Sequence, residues 1–428
     1  MAKVIRKHWH SELTPGLTRR DRRGCEYETY IPDALIDRPF IFNADVAADV
    51  AEAERAIVVL NAEASVLAAG EALARLLLRS ESVASSKIEG LFVGGRRLMR
   101  AEVARELGEQ PGDVTAEEIL GNIDAMTWAV QSAGGPGVLT LDHLLEINRR
   151  LLAGTRLGVH GGRMRTVQNW IGGSDYNPCS AVFVPPPPEM VPELLSDLVA
   201  FCNEELLPAV AQAAMAHAQF ETIHPFVDGN GRTGRALIHL VLLRRRLATR
   251  ITVPVSLILA AHPQRYVHGL TATRYRGLAT SQDAHTGCNR WVSLFASSCH
   301  RAVVEASVFE ERILEIETAW RERLGSVRAN STVDRLLLAL PGTPVVTVPG
   351  ASELLGRSFE ATNKAIGRLT GAGILRQVTV GRRRRAFEAP EVFHAFATLE
   401  QRMSAPGHPV LQVADSPNPS LLRWKSPR

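Results

Sequence analysis

Runs with large apolar residues at helical spacing constrain this chain more than any other feature. From Ala47 to Leu78 the sequence is rich in Ala, Leu and Glu. Ile57, Leu60, Leu67, Leu73, Leu76 and Leu77 recur there at the interval that aligns them on one helix face, with Gly70 as a break. The period returns at Thr115–Trp128, Thr140–Leu152, Val191–Leu207, Val210–Ile223, Arg232–Leu247, Pro263–Thr280 and Trp291–Trp320. The reading is therefore mainly α. One stretch breaks it. Between Arg163 and Val184 apolar residues alternate around Gly172-Gly173 and Pro178, which predicts a hairpin, and the Pro185–Pro188 run then stiffens the chain. No repeat of fixed period occurs.

A length of 428 residues suggests two or three domains. Residues 1–26 read as a polar, Arg-rich arm, 27–110 as an N-terminal helical module and 111–325 as a helical core. After a break near Ser326–Ser331 come three short helical patterns, Thr332–Leu340, Ala351–Leu355 and Ser358–Gly371, then a basic hairpin over Ile374–Glu388. That is the order of a winged helix, assigned to 326–398. Residues 399–428 carry prolines and little periodicity and read as a disordered tail.

Composition excludes some classes. With 45% hydrophobic and 22% charged residues, the chain is not wholly disordered. A net charge of +4 does not by itself call for nucleic acid. Five cysteines without a C-x-x-C pair predict neither a disulfide scaffold nor a zinc site, and point to a reducing cytoplasm. The basic N-terminus has no apolar signal core. The most apolar stretch, Ile251–Ala261, is shorter than the roughly 20 residues needed to cross a bilayer, so no membrane partner is expected.

Chemistry concentrates in His224-Pro225-Phe226-Val227-Asp228-Gly229-Asn230-Gly231-Arg232-Thr233-Gly234-Arg235. Proline after His224 disfavours helix at that histidine, so the preceding helix should end by presenting its imidazole. Gly229 and Gly231 permit positive φ, which lets several N–H groups converge on one anion at the N-terminus of the next helix. Arg232 and Arg235, three apart, fall on one face of that helix. Asp228 can hold Mg²⁺ against phosphate oxygens. Each feature alone is commonplace: a helix-ending turn, a loop, a solvated arginine pair. Together in twelve consecutive residues they describe a polyphosphate site with a proton acceptor beside it.

The segment resembles the signature H-P-F-x-[DE]-G-N-G-R-x-x-R of the Fic (filamentation induced by cAMP) family and matches it at every defining position. Further likeness runs from Tyr30-Ile31-Pro32 through Gly162-Arg163-x-Arg165, Val167, Ile171-Gly172 and Val184–Pro188, the family's flap region. It continues in His217-x-Gln219-Phe220-Glu221-x-Ile223, Tyr266 and Trp291, covering roughly residues 27 to 310. The resemblance implies a Fic-type helical core with a β-hairpin flap and transfer of AMP from ATP to a Ser, Thr or Tyr hydroxyl of a target protein or of the chain itself. In that scheme His224 is the base and Asp228 holds Mg²⁺. Gly229, Asn230, Gly231, Arg232, Thr233, Gly234 and Arg235 bind the nucleotide, Asn230 with the loop amides stabilising charge on phosphate. Phe226 packs. A related branch that transfers phosphate carries Lys where this chain has Gly231.

Upstream, Ser85-Ser86-Lys87-Ile88-Glu89-Gly90 is similar to the family's inhibitory helix. The similarity implies that Glu89 pairs with Arg235 and misaligns ATP; the plain alternative is a helix end with Gly90 as its left-handed cap. The flap implies main-chain pairing with an extended target segment. A rival function comes from the C-terminal module: a DNA-binding winged-helix regulator with the Fic core as nucleotide sensor. Thr362, Asn363, Lys364 and Arg368 would then reach bases or phosphates and Arg382–Arg385 would meet the backbone, within 358–385. A homodimer is a further candidate assembly, and a scaffold that binds nucleotide without transferring it is a third reading.

Overall fold

Fifteen helices carry the fold among the described residues of the computed structural model, which are 1–10, 17–63, 70–106, 108, 112–131, 137–380 and 384–404. The chain opens with two strands, β1 (Lys3–Trp9) and β2 (Cys25–Ile31). Five helices follow: α1 (Ala44–Glu63), α2 (Gly70–Ile88), α3 (Gly95–Glu106), α4 (Val114–Gln131) and α5 (Leu141–Leu152). The core continues with α6 (Val191–Asn203), α7 (Ala209–Ile223), α8 (Asn230–Arg244), α9 (Val255–Ala261), α10 (Pro263–Ala272) and α11 (Gln282–Leu324). The C-terminal part comprises α12 (Thr332–Ala339), β3 (Val345–Val346), α13 (Val348–Leu355), α14 (Phe359–Gly371), β4 (Arg376–Val380), β5 (Arg384–Glu388) and α15 (Pro390–Ser404).

The centre is α7, buried over its whole length. Its many alanines let α6, α8 and α11 approach closely, as a helix apolar on every side requires. Along α8 every residue from Asn230 to Leu243 is buried as well. The long α11 runs past α1, α7, α10 and α15, and Trp291 on it donates its indole N–H to the Ala214 carbonyl at 2.7 Å. Periodicity placed most of these helices within a few residues. It did not place α9, whose apolar run is too short to show a period, and α10 stops at Ala272 rather than reaching Thr280. Leu67 lies outside the described residues.

Several expectations need correction. The described part of residues 1–26 is not a free arm: β1 and β2 pair antiparallel from Lys3↔Ile31 to Trp9↔Cys25. This hairpin is fastened to the flap, with the Tyr30 N–H bonding the Val184 carbonyl at 3.0 Å and Trp9 meeting Trp170 edge-on at 5.4 Å. Cys25 and Cys179 form a disulfide with their Cα atoms 5.7 Å apart. The two lie 154 residues apart in sequence, so neither count nor spacing could pair them. The bond also removes the argument for a reducing compartment. No helix among the described residues is long and apolar enough to cross a membrane.

The flap itself contains one isolated bridge, Ile171↔Phe183, rather than two strands. Gly172 and Gly173 both take positive φ, and a Cβ on Gly173 would stand 2.4 Å from the Ser180 carbonyl oxygen, so the chain turns too tightly there to extend a ladder. At the other end, α15 runs to Ser404 and packs on α11, so the first residues assigned to a tail are helical; 405–428 lie outside the described residues. Helices α12–α14 and the antiparallel sheet β3-β5-β4 abut the N-terminal half: the Thr347 hydroxyl bonds Glu106 at the end of α3 at 2.5 Å, and Gly342 sits on the backbone of Ala72 in α2.

Candidate active site

Helix α7 ends at His224, which caps it in the left-handed region with φ 50° and ψ 60°. A non-glycine residue holds that conformation only when its surroundings fix it. Here they do. The His224 carbonyl accepts from Arg165 Nε at 2.9 Å and Asn169 Nδ2 at 3.2 Å, and the Pro225 carbonyl accepts from the Arg165 N–H at 2.9 Å. Phe226 is fully buried against Phe220. Asn148 on α5 donates to the Asp228 carbonyl at 2.9 Å. Sequence reasoning did not give Asn148 and Asn169 a role; the available signal was a polar residue inside the apolar stripe of α5.

Gly229 then takes φ 77° and starts α8, whose first main-chain bond runs from the Thr233 N–H to the Gly229 carbonyl. The N–H groups of the first turn have no acceptor within the helix, which makes an anion cradle. Asn230 differs from expectation. Its Oδ1 accepts from the Phe226 N–H at 2.8 Å and its Nδ2 donates to the Phe226 carbonyl at 2.9 Å, so its side chain closes the loop instead of facing phosphate.

The two other glycines serve proximity, not positive φ. A Cβ on Gly231 would stand 1.9 Å from Glu89 Oε1, and one on Gly234 would stand 2.6 Å from Glu221 Oε1. Gly231 is thus the seat of the Glu89 carboxylate, and Gly234 lets α7 and α8 touch.

Arg235, only 1% exposed, is fully engaged. Its Nε donates to Ser85 Oγ, and its Nη2 donates to the Ser85 carbonyl and to Glu89 Oε1, each at 2.8 Å. Burial alone would lower its pKa, but Glu89, Tyr266 and Glu221 beside it raise it above the ordinary arginine value. Arg232 is buried too, yet its Nε and Nη1 have no acceptor, and its Nη2 stands 3.8 Å from Asp228 Oδ2. The Thr233 hydroxyl is likewise buried without a partner. Unpaired buried donors are costly unless a ligand completes them. Arg232 and Asp228 line a cavity of about 850 Å³ together with Glu118, Arg150 and Arg156.

The imidazole of His224 is pushed down to about 3 by burial and by the nearby Arg165 and Arg274, against a main-chain hydrogen bond with Glu221. It is therefore neutral at ordinary pH, and a value this low makes it a weaker base than a free imidazole. Glu221, 4.0 Å from His224 Nδ1 through Oε2, is pushed up to about 8 by burial. His217 is held down at about 3, mainly by burial, and its Nε2 lies 2.7 Å from the Tyr266 hydroxyl.

The fold thus gathers His224, Asp228, residues 229–235, Ser85 and Glu89 around one cradle. No cluster of three or more potential metal ligands exists among the described residues. The proposed DNA-reading residues fare differently. Thr362 is buried and bonds the Ser358 carbonyl, Lys364 pairs with Glu360, and Arg368 is tied to the Leu324 and Ser326 carbonyls at the end of α11. Of these residues only Thr362 is buried; Asn363, Lys364 and Arg368 are exposed on α14. Arg382 and Arg383 lie outside the described residues.

Residues 138–242 match the Fic/DOC family and residues 47–131 match the Fic/DOC family N-terminal region, so the chain carries a Fic/DOC domain preceded by that companion. Over 109 residues it is 38% identical to a protein adenylyltransferase, fic-1, of Caenorhabditis elegans, and 41% identical to the protein adenylyltransferase Fic of Culex quinquefasciatus. In both cases 25% of this chain matches 20% of the relative, about a fifth of its length. The solved structure of a Fic family protein from Desulfovibrio desulfuricans superposes with a TM-score of 0.51 at 19% identity, covering 82% of this chain and 98% of that one; this likeness concerns the fold.

Proposed function

We propose that this chain is a protein adenylyltransferase, moving AMP from ATP to a Ser, Thr or Tyr hydroxyl of a target protein. The observation that carries the reading is Arg232: a buried guanidinium with two unpaired N–H directions, at a helix N-terminus, in the same loop as a neutral His224. In the reaction the target hydroxyl oxygen bonds to the α-phosphorus, the bond to the bridging oxygen breaks, and pyrophosphate leaves. His224 takes the hydroxyl proton as the oxygen attacks. Arg232 and the first-turn amides of α8 hold phosphate oxygens as charge builds on them. Asp228 would hold Mg²⁺, which when bound neutralises the phosphate charge facing the leaving group. Gly231, in place of the lysine of the phosphate-transferring branch, supports AMP as the group moved.

The same reading makes Glu89 a brake. Its ion pair takes the Arg235 guanidinium that a γ-phosphate needs, and a nucleotide misplaced by about 1 Å loses on the order of 100-fold in rate. Gly90 at φ 81° is also the left-handed cap of α2, so helix end and brake coexist in one motif. The contacts of the C-terminal helices and sheet with α2 and α3 support a regulatory attachment more than a DNA reader. The decisive experiment incubates purified protein with α-labelled ATP, Mg²⁺ and lysate, for wild type and Glu89→Gly, then weighs the products. A mass gain of AMP supports the proposal. A gain of phosphate alone, or nucleotide binding without any transfer, overturns it.

A further inference from the structure

Glu89 is the last of three polar residues that follow one another along α2 at intervals of four: Glu81, Ser85 and Glu89. Such spacing aligns them on one face. Further back the stripe continues as the buried leucines Leu77 and Leu73. A matching stripe runs the opposite way along α8, as Gly231, Arg235 and His239. Glu89 rests on Gly231 and bonds Arg235, Ser85 bonds Arg235, and Glu81 Oε1 receives the His239 Nε2 hydrogen at 3.0 Å. Since a carboxylate only accepts, the imidazole is the donor.

Glu81 does more than close this ladder. It is fully buried, and Ser256 in the first turn of α9 donates to it twice, through the hydroxyl to Oε1 at 2.5 Å and through the main-chain N–H to Oε2 at 2.8 Å. One side chain therefore fixes α2 against α8 and α9 together. Leucine would fill that space without the desolvation of a carboxylate. Apolar contacts, however, tolerate small slides of one helix along another, whereas three directed bonds to two elements do not. Asn122 on α4 secures another face of α2 through the Ser82 carbonyl at 2.7 Å.

We propose that Glu81, acting through His239 and Ser256, sets the register of α2 and so the strength with which Glu89 holds Arg235. It is a positioning residue of the brake, two helical turns away from it; the inference rests on the reading of Glu89 as a brake.

Glu81→Gln keeps the shape and weakens the bonds. It should raise auto-labelling from α-labelled ATP about tenfold, part of the effect expected for a fully misaligned nucleotide. It should also speed hydrogen exchange of the α2 amides, and it should add nothing on a Glu89→Gly background. Ser256→Ala should do the same to a smaller degree. Val292→Ala, a core change on α11 that lowers stability elsewhere, should leave labelling unchanged. Unchanged or reduced labelling by Glu81→Gln overturns the proposal, as does an increase that persists in full on Glu89→Gly. If Glu89→Gly itself labels no better than wild type, the brake reading fails. Exchange of α2 then decides by itself whether Glu81 positions the helix.

Discussion

Arg232 and Arg235 stand three residues apart on α8, both buried, in opposite circumstances. Arg235 spends its donors on Ser85 and Glu89, while Arg232 keeps two directions unpaired beside Asp228. One half of the cradle is complete without a ligand and the other half is not. The difference teaches that the site can bind an anion at the Asp228 end while its other guanidinium is already occupied, so binding and productive binding become separate events. On the proposed reading, chemistry would reside in the open half and control in the closed half.

The strongest break of this comparison removes the base. In a Glu89→Gly background, His224→Ala should lower labelling by about 10²- to 10⁴-fold while nucleotide still binds, as seen by transfer of labelled AMP beside calorimetry. Opening the closed half is next: Glu89→Gly alone should raise auto-labelling by roughly 100-fold. A smaller effect sharpens the contrast. With Arg235 occupied, wild type should bind ATP and ADP about equally, whereas Glu89→Gly should favour ATP by about tenfold, because one charge-assisted contact becomes available. Equal preference in both proteins would show that Arg235 does not meet the γ-phosphate.

Titration gives a weaker lever. His217 and His224 are held near 3 by burial, below the usual histidine value, so the unfolded chain binds more protons as pH drops below about 6.5. Their contribution is present above that point and is lost as pH falls toward 3. Glu221, raised to about 8, contributes below the ordinary carboxylate value and loses that contribution as pH rises through 8. Urea midpoints from pH 5 to 9 should therefore peak near pH 6.5, falling on the acid side through the histidines and on the alkaline side through Glu221, and His217→Gln should flatten the acid fall. The smallest effect concerns the flap: Cys25→Ser with Cys179→Ser should speed hydrogen exchange across 163–184 and leave AMP transfer within a few-fold, since the bond joins elements outside the cradle.

How much of this was legible before folding depends on distance along the chain. Helix boundaries around His224 followed from Pro225 and Gly229, because backbone sterics act between neighbours. Glu89 was legible through its motif. The purposes of individual residues were less so: Gly231 read as a positive-φ position and Gly234 as a nucleotide contact, yet both serve close approach, and Asn230 read as a phosphate ligand but braces Phe226. Thr362 sat at a recognition-helix position yet is buried against its own helix, while Arg368 is exposed and bonded to the Leu324 and Ser326 carbonyls.

By itself the sequence determined a mainly helical chain and one contiguous loop carrying a base, a carboxylate, a cradle and two arginines, since all of these lie within twelve residues. Tertiary structure alone decided that Ser85 and Glu89 close over Arg235 from 150 and 146 residues away, that Glu81 meets His239 across 158, and that Cys25 meets Cys179 across 154. Local patterns fix φ, ψ and helix faces. Which faces meet is settled only when whole helices bury their apolar surface together, and that choice depends on the entire chain.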